Sequence, residues 1–568
     1  MRRIFACLSM GVLAVSGCKK HGPGSSAADQ SHRYGVRIAE DGVVAKVTTS
    51  SDGSHVAFLG QAERSKVLGV PEGTMVGLLE LVATDGKSRA RQLLGGVTNL
   101  PGGFGFSPDG KVLAALKSFR FVTHSGTLET VKVAGGEPVQ LADDCSGFVF
   151  SPDGLHLAWV CRGGTFWGNA DGSSPHKVTD GGATAEFSRD GKRLLVRTLA
   201  SAGGELLTVD VAGKGEVRTL AKKVGDYAFA PNGTDVAYTV HDPDPRGGWD
   251  LKLTTVNGTA PRALGQGVSN FRFSPDGKWL GYIAGVTPSK AFGDLYLARS
   301  DGDGAGKKIG GWVDVFRFSP RSNAVAYLAR YDPNARSGTL TLQTLPMAGP
   351  PLVLHKPVKG FEWSPKGTYL AYSALILKPA VSVDLHLLPL AELKPGAAYA
   401  DGGAGEATGS RAIGTGVFGF GFVDEDRLLY RTDCIMSGRA CDLYEVPTAR
   451  PATPARLTGG VWAFTLSADR TRMLITYPRV DSESSADLGA MNLSGYGGVV
   501  GIDHAVELGA SFLDPQGDRV AYGVTDRHRH GVYVAKVPLP AAGQLPPNLS
   551  PPGFKATYSS TGALGGGR

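Results

Sequence analysis

Cysteine is scarce in this chain, with six residues among 568. The four in the body of the sequence are Cys145, Cys161, Cys434 and Cys441, and no two of them have the C-x₂₋₄-C spacing of a structural zinc site. Runs of one charge sign are missing. The net charge of +7 is spread over 59 basic and 52 acidic residues with no stretch of five or six Lys or Arg. A nucleic-acid footprint needs a basic stripe, so nucleic acid is excluded as a partner. No G-x-S-x-G pentapeptide supplies a nucleophile elbow, and no long alternation of strands and helices remains to carry a hydrolase domain. There is no H-E-x-x-H and no glycine-rich phosphate loop ending in Lys-Ser/Thr.

The remaining polar clusters are weak as sites. Asp526-Arg527-His528-Arg529-His530 reads as an exposed polar turn, because its arginines repel a dication. Asp301-Gly302-Asp303-Gly304 begins like a calcium loop, but Trp312 stands where the loop needs its last carboxylate ligand. The segment from Asp242 to Arg246 is a loop with paired acids. No metal and no cofactor is expected.

What is abundant is glycine, 81 residues, together with 34 prolines. Glycine follows no three-residue period, which excludes collagen and leaves many turns between short strands. The phrase FSPDG recurs at Phe106, Phe150 and Phe273. Degenerate copies begin at Thr49, Phe187, Phe229, Phe318, Trp363, Phe422, Leu466 and Leu513, giving eleven in all. Each lies between two alternating segments, such as Asn270-Phe271-Arg272-Phe273 before it and Lys278 to Ile283 after it. Period-two apolar residues mark half-buried strands, and Ser-Pro-Asp-Gly is turn chemistry, so each copy is a β-hairpin. A third strand follows, as in DLKLTTVNG at Asp250, DLYLARSDG at Asp294 and DLHLLPLA at Asp384, and then a fourth, as in Arg262-Ala263-Leu264. Four strands in about forty residues make a propeller blade, which is stable only when stacked on neighbours.

The FSPDG hairpin and the DLY-type third strand resemble the WD-like repeats of the TolB propeller family, which also build the propeller domains of dipeptidyl and prolyl peptidases. The resemblance covers residues 34 to about 545. It implies an all-β propeller fold and protein–protein interaction at the cell envelope. The chain departs from TolB itself, which is one six-bladed propeller with an N-terminal α/β domain and normally no lipid anchor. Eleven hairpins exceed the usual four to eight blades of one ring. Two tandem propellers are therefore expected, 34–310 with six blades and 311–545 with five, with one large ring as the alternative. Residues 34–47 can add a closing strand. Leu59–Thr74 and Ala391–Thr415 are expected as surface loops, and 546–568 as a disordered tail rich in Pro, Gly and Ser.

The N-terminus has the form of a secretory signal. Met1-Arg2-Arg3 is basic, and Ile4 to Gly17 is apolar or small and too short to span a bilayer. It ends Val15-Ser16-Gly17-Cys18, which resembles a bacterial lipobox. The resemblance implies cleavage after residue 17 and acylation of Cys18, and several acyl chains anchor a protein stably. Residues 18–33 then form a flexible, lipidated tether. Lys19 replaces the Asp that retains enterobacterial lipoproteins at the inner membrane, which favours the outer membrane. In that oxidising setting two local disulfides follow, Cys145 with Cys161 across a hairpin and Cys434 with Cys441 across a turn, the alternative being buried free thiols. The expected protein is a membrane-anchored periplasmic or outer-membrane lipoprotein. Its propeller is a non-catalytic scaffold for an envelope protein or a small ligand. The alternative is a propeller enzyme (lyase or hydrolase) or a carbohydrate-binding protein.

Overall fold

The computed structural model describes residues 35–40 and 45–537, apart from 68–69, 72, 201–202, 214, 242–248, 287–291, 348, 378–380, 394–408, 436–439, 450–452, 480–484, 494–497, 508–509, 525 and 527. The signal, Cys18, the tether, the tail and the loop at Asp242–Arg246 lie outside the described residues. Among those described the chain is all strand except for one short 3₁₀ turn, Leu390–Glu392. Every strand pairing is antiparallel, in up-and-down order, and the sheets resolve into eleven four-stranded blades. Three long strands, Val139–Phe150, Val217–Phe229 and Leu352–Trp363, serve as the outer strand of one blade and then the inner strand of the next. We number the blades 1 to 11 from the hairpin at Ala45.

The recurring turn explains why each hairpin forms. In blade 2 the Ser107 hydroxyl donates to Asp109 at 2.6 Å, and the Asp109 carboxylate accepts the Lys111 N–H at 3.1 Å. Ser107 Oγ in turn accepts the Val112 N–H at 3.0 Å. The same three contacts recur around Ser151, Ser188, Ser274 and Ser467. The serines are buried at 2% exposure or less, so their hydroxyls have no water to turn to and are satisfied within the turn. The glycine closes it with a left-handed φ, 75° at Gly154. A Cβ there would also come within 2.9 Å of Asp109 N, because successive turns stack from blade to blade.

Each pair of neighbouring blades shares one apolar core. The buried side chains form eleven clusters, one at every seam. The motif Phe belongs to these cores at Phe187, Phe273 and Phe318, each under 9% exposed, whereas Phe106, Phe150 and Phe229 are half-buried. A buried Tyr on the second strand adds a polar link between blades. Tyr282 donates to Leu264 O at 2.7 Å, and Tyr327 donates to Ile309 O at 2.6 Å. Gly310 permits the approach of the Tyr327 ring, since a Cβ there would lie 2.5 Å from it.

These links decide the partition. Tyr327 of blade 7 bonds to the outer strand of blade 6, and Trp279, Leu295 and Val313 of blade 6 share a core with Phe316, Val325 and Tyr327 of blade 7. Packing thus runs through residue 310 without a break. At the other end, Val36–Ala39 pairs with Gly531–Lys536 as the outer strand of blade 11, with Val36 opposite Val534. Blade 11 packs on blade 1 through Ile38, Phe58, Val82, Ala521 and Val532, and Arg519 donates to Thr84 O at 2.6 Å. The all-β propeller architecture is present, and its eleven blades close as the single large ring. The expected boundary between 34–310 and 311–545 is corrected, because both of its would-be edges are buried against the adjacent blade. The expected loop at Leu59–Thr74 is corrected in part, since the strand His55–Arg64 runs into it through a bulge at Gln61. Of Ala391–Thr415, residues 394–408 lie outside the described residues, and Arg411–Gly414 is the outer strand of blade 8.

Candidate binding face and channel

A ring of eleven blades leaves a hole. Packed sheets lie about 10 Å apart and strands about 4.8 Å apart, so such a ring leaves roughly 20 Å between inner strands on opposite sides. Seven blades at the same spacing would nearly close it. The inner strands end in an apolar-x-apolar pattern, often aromatic-x-aromatic, whose middle residue is at least partly accessible. These residues include Gly105, Glu186, Arg272, Arg317, Glu362, Gly421 and Thr465. Glu186 is reached by solvent yet ringed by protein, and that partial desolvation pushes its carboxyl above the usual range. Glu362 is raised for the same reason, opposed by the charge of Arg317 on the neighbouring blade and by the Phe422 N–H. The two glutamates belong to blades 4 and 8, so no two carboxylates face each other from adjacent blades at this level of the described lining.

On the face opposite the FSPDG turns, the seam between blades 6 and 7 opens into a pocket of about 650 Å³ lined by Gly311, Trp312, Arg330, Tyr331, Asp332 and Pro333. The local backbone puts them there. Trp312 and Arg330 both have left-handed φ, 54° and 50°, where the outer strand of blade 6 and the second strand of blade 7 bulge. Trp312 is 56% exposed, an uncommon state for so large an apolar side chain. Phe292 supports it from one side, with ring centres 5.5 Å apart, and lies 6.3 Å from Tyr331. The Tyr331 hydroxyl is raised by burial and by the nearby Asp314 and Asp332, with Arg336 opposing. Asp332 also accepts the Asn334 N–H at 2.9 Å, which fixes its carboxylate at the rim.

The residues singled out from sequence fall as follows. Cys145 and Cys161 pair directly across the hairpin of blade 3 and form a disulfide, as do Cys434 and Cys441. The first lies in the core between blades 2 and 3. Asp301–Gly304 is an exposed turn in which the Arg299 guanidinium holds Asp301 below the usual carboxylate range. Among the described residues no group of three or more His, Cys, Asp or Glu is placed to hold a metal ion.

The 526–530 segment differs from the expected exposed turn. His528 is exposed, but Arg529 turns inward to the fully buried Asp503, with its Nη2 at 2.7 and 2.9 Å from the two carboxylate oxygens. Tyr522 donates to the same carboxylate at 3.0 Å. Burial raises the Asp503 carboxyl above its usual range against the pull of Arg529. The aromatic pocket was not anticipated either. Its members come from three separate loops, and the only local signal was a large aromatic, Trp312, directly after Gly310-Gly311 at a strand end.

No family model matches the chain, and neither does any curated protein. Solved structures do. A eukaryotic initiation factor is similar at 15% identity over 66% of this chain and 92% of that one, with a TM-score of 0.39. The tricorn protease is similar at 12% identity over 87% and 59%, with a TM-score of 0.28. Hydrazine synthase of Kuenenia stuttgartiensis is similar at 15% identity over 55% and 96%, with a TM-score of 0.26. At these values the likeness carries nothing about activity, and the fold rests on the pairing and packing described above.

Proposed function

We propose that this chain is a cell-envelope lipoprotein of TolB-like type, held in the membrane through Cys18, whose propeller is a non-catalytic scaffold that binds a protein or a ligand. The observation that carries the scaffold reading is the channel lining. It mixes Arg, Glu, Thr and Gly from blade to blade, and its two desolvated glutamates stand four blades apart. Glycoside hydrolysis in most families uses two carboxylates flanking one bond. A lining of scattered single charges favours recognition over catalysis. Support for the location comes from the lipobox-like Val15 to Cys18 and from two disulfides, which persist in oxidising compartments. The acyl anchor would place the ring in the periplasm or at the outer membrane, at the end of the 18–33 tether.

The test is fractionation of cells expressing the wild-type chain and Cys18→Ser. The reading expects the wild type in the membrane fraction and the variant in the soluble periplasmic fraction. A variant that stays membrane-bound contradicts the anchor. Cross-linking from intact membranes, followed by mass spectrometry, would then identify the partner. A partner captured by the wild type and lost when a loop on the face opposite the FSPDG turns is changed supports the scaffold.

A further inference from the structure

We infer that the channel wall at the seam between blades 4 and 5 is a binding site for a single carboxylate, with Arg197 as its fork and the Thr184 and Tyr227 hydroxyls beside it. This deepens the scaffold reading and rests on it. The repeat is broken at this seam. Each second strand has a residue three places beyond the partner of the motif Phe. In blades 2, 3, 6 and 7 that residue is Leu116, Val160, Ile283 and Leu328, all buried. In blade 4 it is Arg197, which lies opposite Thr184. Its Nε is buried and has no hydrogen-bond acceptor among the described residues. A desolvated guanidinium nitrogen without an acceptor costs stability that Leu or Val at the same place would not, so packing does not account for it. Blade 9 also carries an arginine there, but Arg431 donates to Trp462 O at 3.1 Å and covers the Phe418 ring.

The facing blade departs from the repeat at the same place. Two residues before the motif Phe, blades 3, 6 and 7 carry Phe148, Phe271 and Phe316, whereas blade 5 carries Tyr227. Its ring packs against the core of the seam, and its hydroxyl shares a hydrogen bond with Thr184 Oγ1 at 3.2 Å across it. Burial pushes that hydroxyl up, Thr184 and the charge of Arg197 oppose the shift, and the charge of Glu186 adds to it, so the four groups gather at one point. Glu186 lies two residues from Thr184 and therefore on the same face of the strand. Desolvation alone moves its carboxyl, with no pull from Arg197, so the guanidinium is left for a ligand. The fork of an arginine matches the two oxygens of a carboxylate, and the neighbouring hydroxyls can each give a further bond. A dianion such as phosphate is disfavoured by Glu186 and by Asp226, which is exposed on the same strand as Tyr227. Arg197 itself repels a cation. A singly charged carboxylate remains, carried by a free small acid or by a peptide end that reaches into the channel.

The test uses the full-length protein in detergent, with saturation-transfer NMR as the readout. The probes are propionate and acetyl-Gly-Gly as acids, their amides as uncharged counterparts, and inorganic phosphate as competitor. The inference expects at least one acid to receive saturation, its amide to receive none, and phosphate at equal concentration not to displace it. Binding of propionate as strong as that of acetyl-Gly-Gly assigns a free acid, and stronger binding of acetyl-Gly-Gly assigns a peptide end. Arg197→Leu restores the residue of the regular blades. It should keep or raise thermal stability and weaken binding by at least about tenfold, as for loss of a charge-assisted fork. Tyr227→Phe, also a return to the repeat, should weaken binding less. Saturation of neither acid overturns the inference. Binding that survives Arg197→Leu, equal binding of the amides, or displacement by phosphate does so too. A marked loss of thermal stability in Arg197→Leu would make the arginine structural and overturn it as well. A folded protein that captures a partner but neither acid loses this inference and keeps the scaffold. Chemical turnover of a bound acid would overturn the non-catalytic reading and leave the site.

Discussion

Glu425 of blade 9 accepts a hydrogen bond from Ser364 of blade 8 at 2.8 Å, across the seam between them. The contact repairs a defect in the repeat. In WSPKG the Asp position of the turn is Lys366, so Ser364 has no carboxylate of its own. Glu425, at the equivalent position of the next blade, takes over and also accepts the N–H groups of Lys366 at 2.6 Å and Thr368 at 3.2 Å. Burial pushes the Glu425 carboxyl up, but these bonds outweigh it and hold the group below the usual range.

Removing that carboxylate leaves a buried hydroxyl and an N–H without their acceptor. Glu425→Ala should therefore destabilise the ring by about 1–3 kcal/mol in urea denaturation. Adding Lys366→Asp to Glu425→Ala restores the local acceptor of the regular motif and should recover most of the loss. If the double variant is no more stable than Glu425→Ala, the exchange of acceptor between blades is not what stabilises this seam.

The turn aspartates give the ring an acid limit. Asp52 is held down to about 2 by the Ser50 hydroxyl and by the backbone and side chain of Ser54. Asp190 is lowered chiefly by Ser188. At Asp109, Asp153, Asp276 and Asp469 burial opposes the charge, but the serine and backbone bonds prevail and the groups remain lowered. A carboxyl whose folded value lies below its unfolded value stabilises the fold above the unfolded value, about 4 for Asp, and loses that contribution as pH falls through the folded one. Thermal stability should thus drop between about pH 4 and pH 2. The slope should lessen when Asp109 and Asp153 are changed to Asn, a residue that blade 5 already uses at Asn232. Equal slopes in wild type and variant would contradict the assignment.

Asp503 and Arg529 form a buried ion pair at the seam between blades 10 and 11. Arg529→Met leaves the Asp503 carboxylate without its guanidinium in a buried setting, with the Tyr522 hydroxyl and the His504 N–H as remaining donors, and should cost about 3–5 kcal/mol. The paired change Asp503→Asn with Arg529→Met removes both charges and should cost distinctly less. Denaturation of the two variants side by side measures the coupling, and equal losses would mean that the pair is not the source of the effect.

The blades were legible because the repeat is local. Ser-Pro-Asp-Gly dictates its own turn, and the alternation on either side dictates the hairpin, so Cys145 could be placed opposite Cys161, and the oxidising setting then favoured this disulfide and the one across the turn between Cys434 and Cys441. The ring was legible only as an alternative, with residues 34–47 offered as a closing strand, because closure depends on Val36–Ala39 finding Gly531–Lys536 across the whole chain and no local pattern encodes that partner. The pocket was not legible. Trp312 and Tyr331 line one pocket only because blade 6 packs on blade 7, where the expected domain boundary would have separated them. Arg529 was misread for a related reason, since its partner Asp503 lies 26 residues away on another blade.

Single-particle electron microscopy of the purified protein, viewed down the axis, tests the central claim most directly. The account predicts one disc with eleven radial densities around an open centre. Two smaller discs of six and five densities, side by side, would contradict it. They would also separate blade 6 from blade 7, and with it dissolve the channel and the aromatic pocket.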